Sequence, residues 1–99
     1  MNTDIKALRF DFNDDAKEYL HKKLDRIHNA ESMIVDLLIT LAKDKEFSAE
    51  AKVNFNWGVS VHVKESDFEL RAAIDKMIDK LEAKVNKEKE KKQDKRKSG

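Results

Sequence analysis

The sequence predicts one α+β domain, a two-layer sandwich with two helices packed on one face of a four-stranded, mainly antiparallel sheet. Two observations predict this class. Two segments carry apolar residues at helical spacing, and four others tend to alternate apolar with polar residues. Their order is β-α-β-β-β-α. A chain of 99 residues is also long enough to bury a core without a metal or a disulfide.

The first strand and the first helix are predicted to meet at an asparagine. Residues 3–12 alternate imperfectly, which favours a strand running into a connection. The Asn13 side chain can accept a free backbone N–H, and the two aspartates after it complement the helix dipole. A helix is therefore expected over about residues 14–28. Residues 29–32 are expected to form its exit loop.

Three further segments have a period of two. In the first of them one face carries Met33, Val35, Leu37, Ile39 and Leu41. Residues 43–46 suit a turn, and residues 47–55 a second strand. A three-residue hairpin loop at 56–58, with Gly58 in the left-handed conformation, leads to a third strand from residue 59. One apolar and one polar face are typical of antiparallel strands.

The last helix carries the clearest apolar stripe. Ser66 or Asp67 is predicted to cap it. The stripe consists of Leu70, Ile74, Met77, Ile78, Leu81 and Val85. Residues 1–91 are predicted to form the domain, and residues 92–99 a charged, disordered tail.

Positive charge is concentrated at the C-terminal end. Residues 1–75 contain 11 Lys or Arg against 15 Asp or Glu, and residues 76–99 contain 10 against 5. At about 100° per residue, one flank of the last helix carries a lysine row formed by Lys76, Lys80, Lys84, Lys87 and Lys91. Acidic residues lie on the opposite flank. Such a row suits a phosphate backbone, although flanking lysines also extend over the edge of a core in solvent. An acidic protein surface or an anionic membrane are the other partners that fit.

The first helix has a second basic cluster, formed by Lys22, Lys23 and Arg26. If the two helices pack side by side, these residues are predicted to face the lysine row across a groove.

Most catalytic chemistry is missing from the sequence. There is no cysteine, which excludes disulfides and thiolate metal sites, and two glycines are too few for a phosphate-binding loop. His21 and His28 are interpreted as surface residues because no third ligand has motif spacing. Trp57 is expected to pack over the end of the sheet, with base stacking as the alternative. We therefore expect no enzyme activity, no cofactor, no metal and no small-molecule substrate.

No segment has the apolar length of a membrane span. No secretory signal is recognised at the N-terminus. The protein is therefore expected to be cytoplasmic, without a membrane partner, and monomeric when free.

Two motifs resemble those of short bacterial ribosome hibernation factors, the family of hibernation-promoting factor and protein Y. "KLDRI" at residues 23–27 is similar to the family's motif in helix 1, and "AAIDKMIDKLEAKVNKEKEK" at residues 72–91 to its last helix. The resemblance covers about residues 3–91. Arg71 stands where the family usually has an aromatic residue.

The resemblance implies binding to the small ribosomal subunit in the channel used by mRNA and tRNA, and inhibition of translation. By position, the rRNA contacts would be Lys23, Arg26, Lys80, Lys87, Lys89 and Lys91. The helical wheel adds Lys22, Lys76 and Lys84. Two alternatives stay open at this point, a double-stranded RNA-binding module and a non-catalytic protein-interaction domain.

Overall fold

The computed structural model has the predicted element order. Its elements are β1 (Asn2–Leu8), α1 (Asp14–Leu24), a 3-10 segment (Asp25–Met33), β2 (Ile34–Lys43), β3 (Phe47–Phe55), β4 (Ser60–Asp67) and α2 (Leu70–Ser98). The structure describes the backbone of residues 1–98 and the side chains of residues 1–91. The predicted tail at 92–99 lies outside the described side chains, so that boundary stays a prediction.

The four strands form one sheet in the order β1-β2-β3-β4. β1 is parallel to β2, and the other neighbours are antiparallel. The core lies between one face of this sheet and the two helices, and it contains no buried polar or charged residue among the described side chains. The predicted α+β class is therefore confirmed.

The first strand runs into a connection, as the pattern over residues 3–12 predicts. It ends at Leu8 because Arg9 has a φ of 67°, in the left-handed region, which interrupts the extended backbone. The chain thus passes from strand to connection within the predicted segment, after Leu8. Phe10 lies in the connection, half-buried, and meets Phe47 edge to face at a ring distance of 5.4 Å.

The first helix begins as predicted and ends earlier. The Asn13 side chain accepts the N–H of Ala16 at 2.9 Å, which confirms the cap. After Leu24 the chain continues as the 3-10 segment, where a helix to residue 28 and a loop were predicted. A 3-10 helix has three residues per turn. Apolar side chains that are buried or half-buried recur here at that spacing, at Leu24, Ile27, Ala30 and Met33.

A register shift at the start of β2 changes one predicted face. Ile34 pairs with Phe55 and Asp36 with Asn54, so Val35 is an extra residue and its side chain is 46% exposed. The predicted inward position of Val35 is wrong, and Ile34 is buried instead. The later positions of that face, Leu37, Ile39 and Leu41, are buried as predicted.

The hairpin between β3 and β4 matches its prediction. Gly58 has a φ of 87° in the three-residue loop. The Trp57 ring stacks on Phe55, with centroids 4.8 Å apart, and so packs at the end of the sheet.

The last helix begins after a short turn. β4 extends to Asp67, whose side chain accepts the N–H of Glu69 at 3.0 Å, one residue before α2 starts. Asp67 therefore stabilises the turn and is not the predicted helix cap. The predicted stripe is confirmed, with Ile74, Met77, Ile78, Leu81 and Val85 buried and Leu70 half-buried. Within the described residues, no helix is both long and apolar enough to span a membrane.

Candidate nucleic-acid interface

The packing of α2 determines where its charged flanks lie. Its apolar stripe rests on β3 and β4, because Ile74, Met77 and Leu81 are fully buried there. The lysine row then lies along β4, the last strand of the sheet. The acidic flank lies on the other side, next to α1 and the 3-10 segment.

Two members of the lysine row form ion pairs with β4. The ammonium group of Lys80 lies 2.5 Å from the carboxylate of Glu65, and that of Lys76 lies 2.9 Å from Asp67. In both pairs the lysine is the more exposed partner: Lys80 is 61% exposed against 19% for Glu65, and Lys76 51% against 27% for Asp67. The row therefore presents positive charge to solvent, with carboxylates beneath it.

The pair between Lys76 and Asp67 favours both charged forms. The N–H of Glu69 and the ammonium group of Lys76 hold the pKa of Asp67 below its usual value. The same carboxylate raises the pKa of Lys76. Both groups are thus charged at neutral pH.

The row also contacts the backbone of the edge strand. Lys84 donates to the carbonyl oxygen of His62 at 3.0 Å, and Lys76 to that of Ser66 at 3.4 Å. β4 has a neighbouring strand on one side only, so these contacts occupy carbonyl groups that the sheet leaves unpaired.

Two members of the basic cluster of α1 and the 3-10 segment, Lys23 and Arg26, are paired as well. Arg26 contacts Asp79 at 2.7 Å and Glu82 at 2.6 Å, and the pKa of its guanidinium is raised mainly by Glu82. Lys23 lies 3.4 Å from Asp75. All three carboxylates belong to α2, so this cluster is joined to its acidic flank.

The predicted groove between two basic surfaces is therefore wrong. Arg26 faces Asp79 and Glu82, whereas Lys80 faces Glu65 on the other side of the same helix. The two clusters lie on opposite flanks of α2, because opposite charges bring α1 and α2 together.

The remaining predicted lysines make fewer polar contacts. Among the described side chains, Lys22, Lys87 and Lys89 have neither a hydrogen bond nor an ion pair, and Lys91 lies 3.8 Å from Glu88. Lys87 and Lys91 continue the row beyond Val85, the last buried residue among residues 1–91. Lys89 is two residues from Lys87, about 200° around the helix, so it lies off the row.

Sequence reasoning missed the carboxylates under the row. Glu65 pairs with Ala49 and Asp67 with Phe47, so both lie on the helix-facing side of β4, in phase with buried Val63. That phase is visible in the sequence. An acidic residue at an inward position of a strand indicates a cation on the element that covers it.

Arg71 has an aromatic neighbour. Its guanidinium lies over the Tyr19 ring, 4.9 Å from the centroid, and the ammonium group of Lys23 lies 5.4 Å from the same centroid. Arg71 therefore takes part in the contact between α1 and α2.

The histidines do not form a ligand set. His28 lies 2.9 Å from Glu31, and His62 lies 2.6 Å from Glu50 on the open face of the sheet. Among the described side chains, no three His, Asp or Glu residues are grouped so that they could hold a metal ion.

Comparisons with known proteins agree on one family. Residues 3–93 match the family described as sigma 54 modulation protein / S30EA ribosomal protein. The N-terminal domain of Protein Y from Thermus thermophilus is 31% identical, with a TM-score of 0.76 over 88% of this chain and 98% of that one. A ribosomal subunit interface protein from Coxiella burnetii is 22% identical, with a TM-score of 0.81 over 90% and 98%, and shows the shared fold. No curated protein sequence matches.

Proposed function

Because the chain belongs to the sigma 54 modulation protein / S30EA ribosomal protein family, we propose that it binds rRNA of the small ribosomal subunit and inhibits translation. The resemblance to ribosome hibernation factors noted from the sequence is thereby confirmed at the level of the family. In this proposal the protein occupies the channel used by mRNA and tRNA.

The family supports an association of this protein with ribosomes. Its description names a ribosomal protein, and one structural neighbour is titled a ribosomal subunit interface protein. Association with ribosomes and a role in hibernation and translational regulation agree with both.

The observation that carries the proposal is the lysine row of α2. Lys76 and Lys80 are more exposed than their carboxylate partners, and the row continues past Val85, the last buried residue among the described side chains. Lysines that neutralise phosphates release counterions, and this supplies most of the sequence-independent affinity of RNA-binding proteins. Shape complementarity to the subunit would then supply selectivity.

The proposed rRNA contacts fall into two groups on opposite flanks of α2. They are Lys76, Lys80, Lys84, Lys87 and Lys91 in the row, and Lys22, Lys23 and Arg26 on the other side of α2. Lys89 is proposed as well, although it lies off the row. A domain with cations on two sides suits a channel with rRNA on both walls. Inhibition requires no chemistry under this proposal, since a domain lying in the channel excludes mRNA and tRNA by its volume.

The test is co-sedimentation with purified small subunits over a salt series. A variant with Lys84→Gln, Lys87→Gln and Lys91→Gln is compared with a control carrying Lys6→Gln, Lys45→Gln and Lys52→Gln. The control lysines are exposed and have no hydrogen bond or ion pair among the described side chains. The row variant should lose about 0.9 in the slope of log affinity against log salt for each phosphate contact removed.

Two competitors make the test specific. Excess mRNA and tRNA analogues should displace the protein if it lies in their channel, whereas plain duplex RNA should not. Equal binding by the row variant and the control would contradict the proposed face. Displacement by duplex RNA alone would favour a general double-stranded RNA-binding module.

A further inference from the structure

Some of the cations proposed to bind phosphate, Lys76 and Lys80 among them, already have carboxylate partners in the free protein. We propose that Glu65 and Asp67 are specificity-determining residues that weaken binding of Lys80 and Lys76 to unrelated RNA. This inference rests on the proposed function, because it concerns the same lysine row.

The fold holds the two carboxylates next to the lysines, whereas a phosphate has to approach from solvent. Glu65 and Asp67 are on the edge strand, beneath the lysines and less exposed than they are. Asp67 is further held by the N–H of Glu69 at 3.0 Å. A phosphate that approaches from solvent must therefore share or replace a carboxylate that stays nearby.

A lysine that is shared with a carboxylate contributes less binding free energy to its phosphate contact. An unpaired lysine exchanges only bound counterions and water for the phosphate. A paired lysine loses part of its attraction to the carboxylate, and the carboxylate and phosphate then repel each other across a few ångströms. The contribution of Lys76 and Lys80 is therefore smaller than that of Lys87, which has no such partner among the described side chains.

This reduction acts unequally on different RNAs. An RNA hairpin of unrelated sequence is free to settle where positive charge is densest, so it makes its phosphate contacts at the lysine row. A subunit channel that fits the domain fixes its position and spreads the contacts over both flanks of α2, so fewer of them depend on Lys76 and Lys80. Glu65 and Asp67 thus raise the ratio of affinities for the two targets, although they lower both.

The experiment compares a double variant that carries Glu65→Gln and Asp67→Asn with a charge-matched double control that carries Asp4→Asn and Glu18→Gln. The control carboxylates are exposed and have no hydrogen bond or ion pair among the described side chains. Binding to an RNA hairpin of unrelated sequence and to purified small subunits is measured over a salt series. Circular dichroism and thermal unfolding establish that each variant is folded.

The expected result is a gain of about three- to tenfold in hairpin affinity at low salt over the control. The salt slope for the hairpin should become steeper by about one to two contacts, and the ratio of subunit to hairpin affinity should fall. Unchanged hairpin affinity and slope in the folded variant would overturn the proposal. An equal gain in the control would do the same, since it would trace the effect to net charge.

A second variant separates this role from a purely structural one. In a protein that carries Lys80→Gln, the further change Glu65→Gln should raise hairpin affinity no more than one control substitution does. A gain as large as in the native background would contradict competition for Lys80. These outcomes are read on the hairpin, so they remain distinct from a failure of the wild type to bind small subunits, which would refute the proposed function instead.

Discussion

The phenol of Tyr19 donates a hydrogen bond of 2.5 Å to the carboxylate of Asp75. Tyr19 is in α1 and Asp75 in α2, so the bond joins the two helices above the sheet. The same carboxylate oxygen lies 3.4 Å from the ammonium group of Lys23. Mainly because of its bond to Asp75, the pKa of Tyr19 is raised, which keeps its hydroxyl proton available for donation.

Removal of this hydroxyl should weaken the contact between the helices. Tyr19→Phe keeps the ring under Arg71 and deletes only the hydrogen bond, so we expect the free energy of unfolding to fall by about 1 kcal/mol. Urea unfolding measures this change. In a protein that already carries Asp75→Asn, the same substitution should cost less, and an equal cost in both backgrounds would mean that the bond does not stabilise the pair.

The parts of the fold that the sequence predicts correctly are those with strong periodicity. β3 alternates without interruption, and α2 has an unbroken apolar stripe, so both were placed well. The errors fall at Val35, where the register shift changes the phase, and after Leu24, where the helix tightens into the 3-10 segment. Pattern reasoning assumes a constant period, and no local signal in the sequence marks either change.

Paired and unpaired cations should contribute differently to ribosome binding. Lys87→Gln should reduce the salt slope for small subunits by about 0.9. Arg26→Gln should reduce it by less than half as much, because Asp79 and Glu82 already hold this guanidinium at 2.7 and 2.6 Å. Co-sedimentation at several salt concentrations gives both slopes. A larger loss for Arg26→Gln would mean that its carboxylate partners release it on binding.

The hairpin loop offers a test of backbone strain without side-chain crowding. A Cβ at Gly58 would meet no atom within 4 Å, so only its φ of 87° opposes substitution. Gly58→Ala should lower the free energy of unfolding by about 1 to 2 kcal/mol. Gly58→Asn should cost less, because asparagine tolerates the left-handed region. A melting temperature of Gly58→Asn below that of Gly58→Ala would contradict this explanation.

Acid should remove the contribution of Asp67. Its pKa is lowered in the folded state, so the ionised form is bound more tightly there, and its contribution is complete above the unfolded pKa of about 3.9. It is lost as the pH falls through the lower folded value. Wild type should therefore exceed Asp67→Asn in melting temperature at pH 6.

The gap in melting temperature should narrow toward pH 2, as protonation makes the Asp67 side chain neutral like that of asparagine. Asp4→Asn is the control, since Asp4 has no hydrogen bond or ion pair among the described side chains, and its effect should stay small throughout. A gap for Asp67→Asn that is as wide at pH 2 as at pH 6 would assign its role to the shape of the turn.

The candidate site was only partly predictable, for a physical reason. Helical geometry alone places Lys76, Lys80 and Lys84 on one flank of α2. Their partners depend on which neighbour that flank meets, and β4 was no more strongly indicated than α1. Once α2 is known to lie over β4, the inward phase of Glu65 and Asp67 accounts for the pairing.

The lysines that occupy the carbonyls of His62 and Ser66 also affect how copies of this protein meet in a crowded cell. An added strand along β4 would have to displace Lys84 and Lys76 and bury their charge beside a new backbone. At the opposite border of the sheet, exposed Asp4 and Lys6 on β1 oppose strand addition in the same way. Charge at both borders thus opposes the addition of a fifth strand, which protects the protein from aggregation through the edges of its sheet.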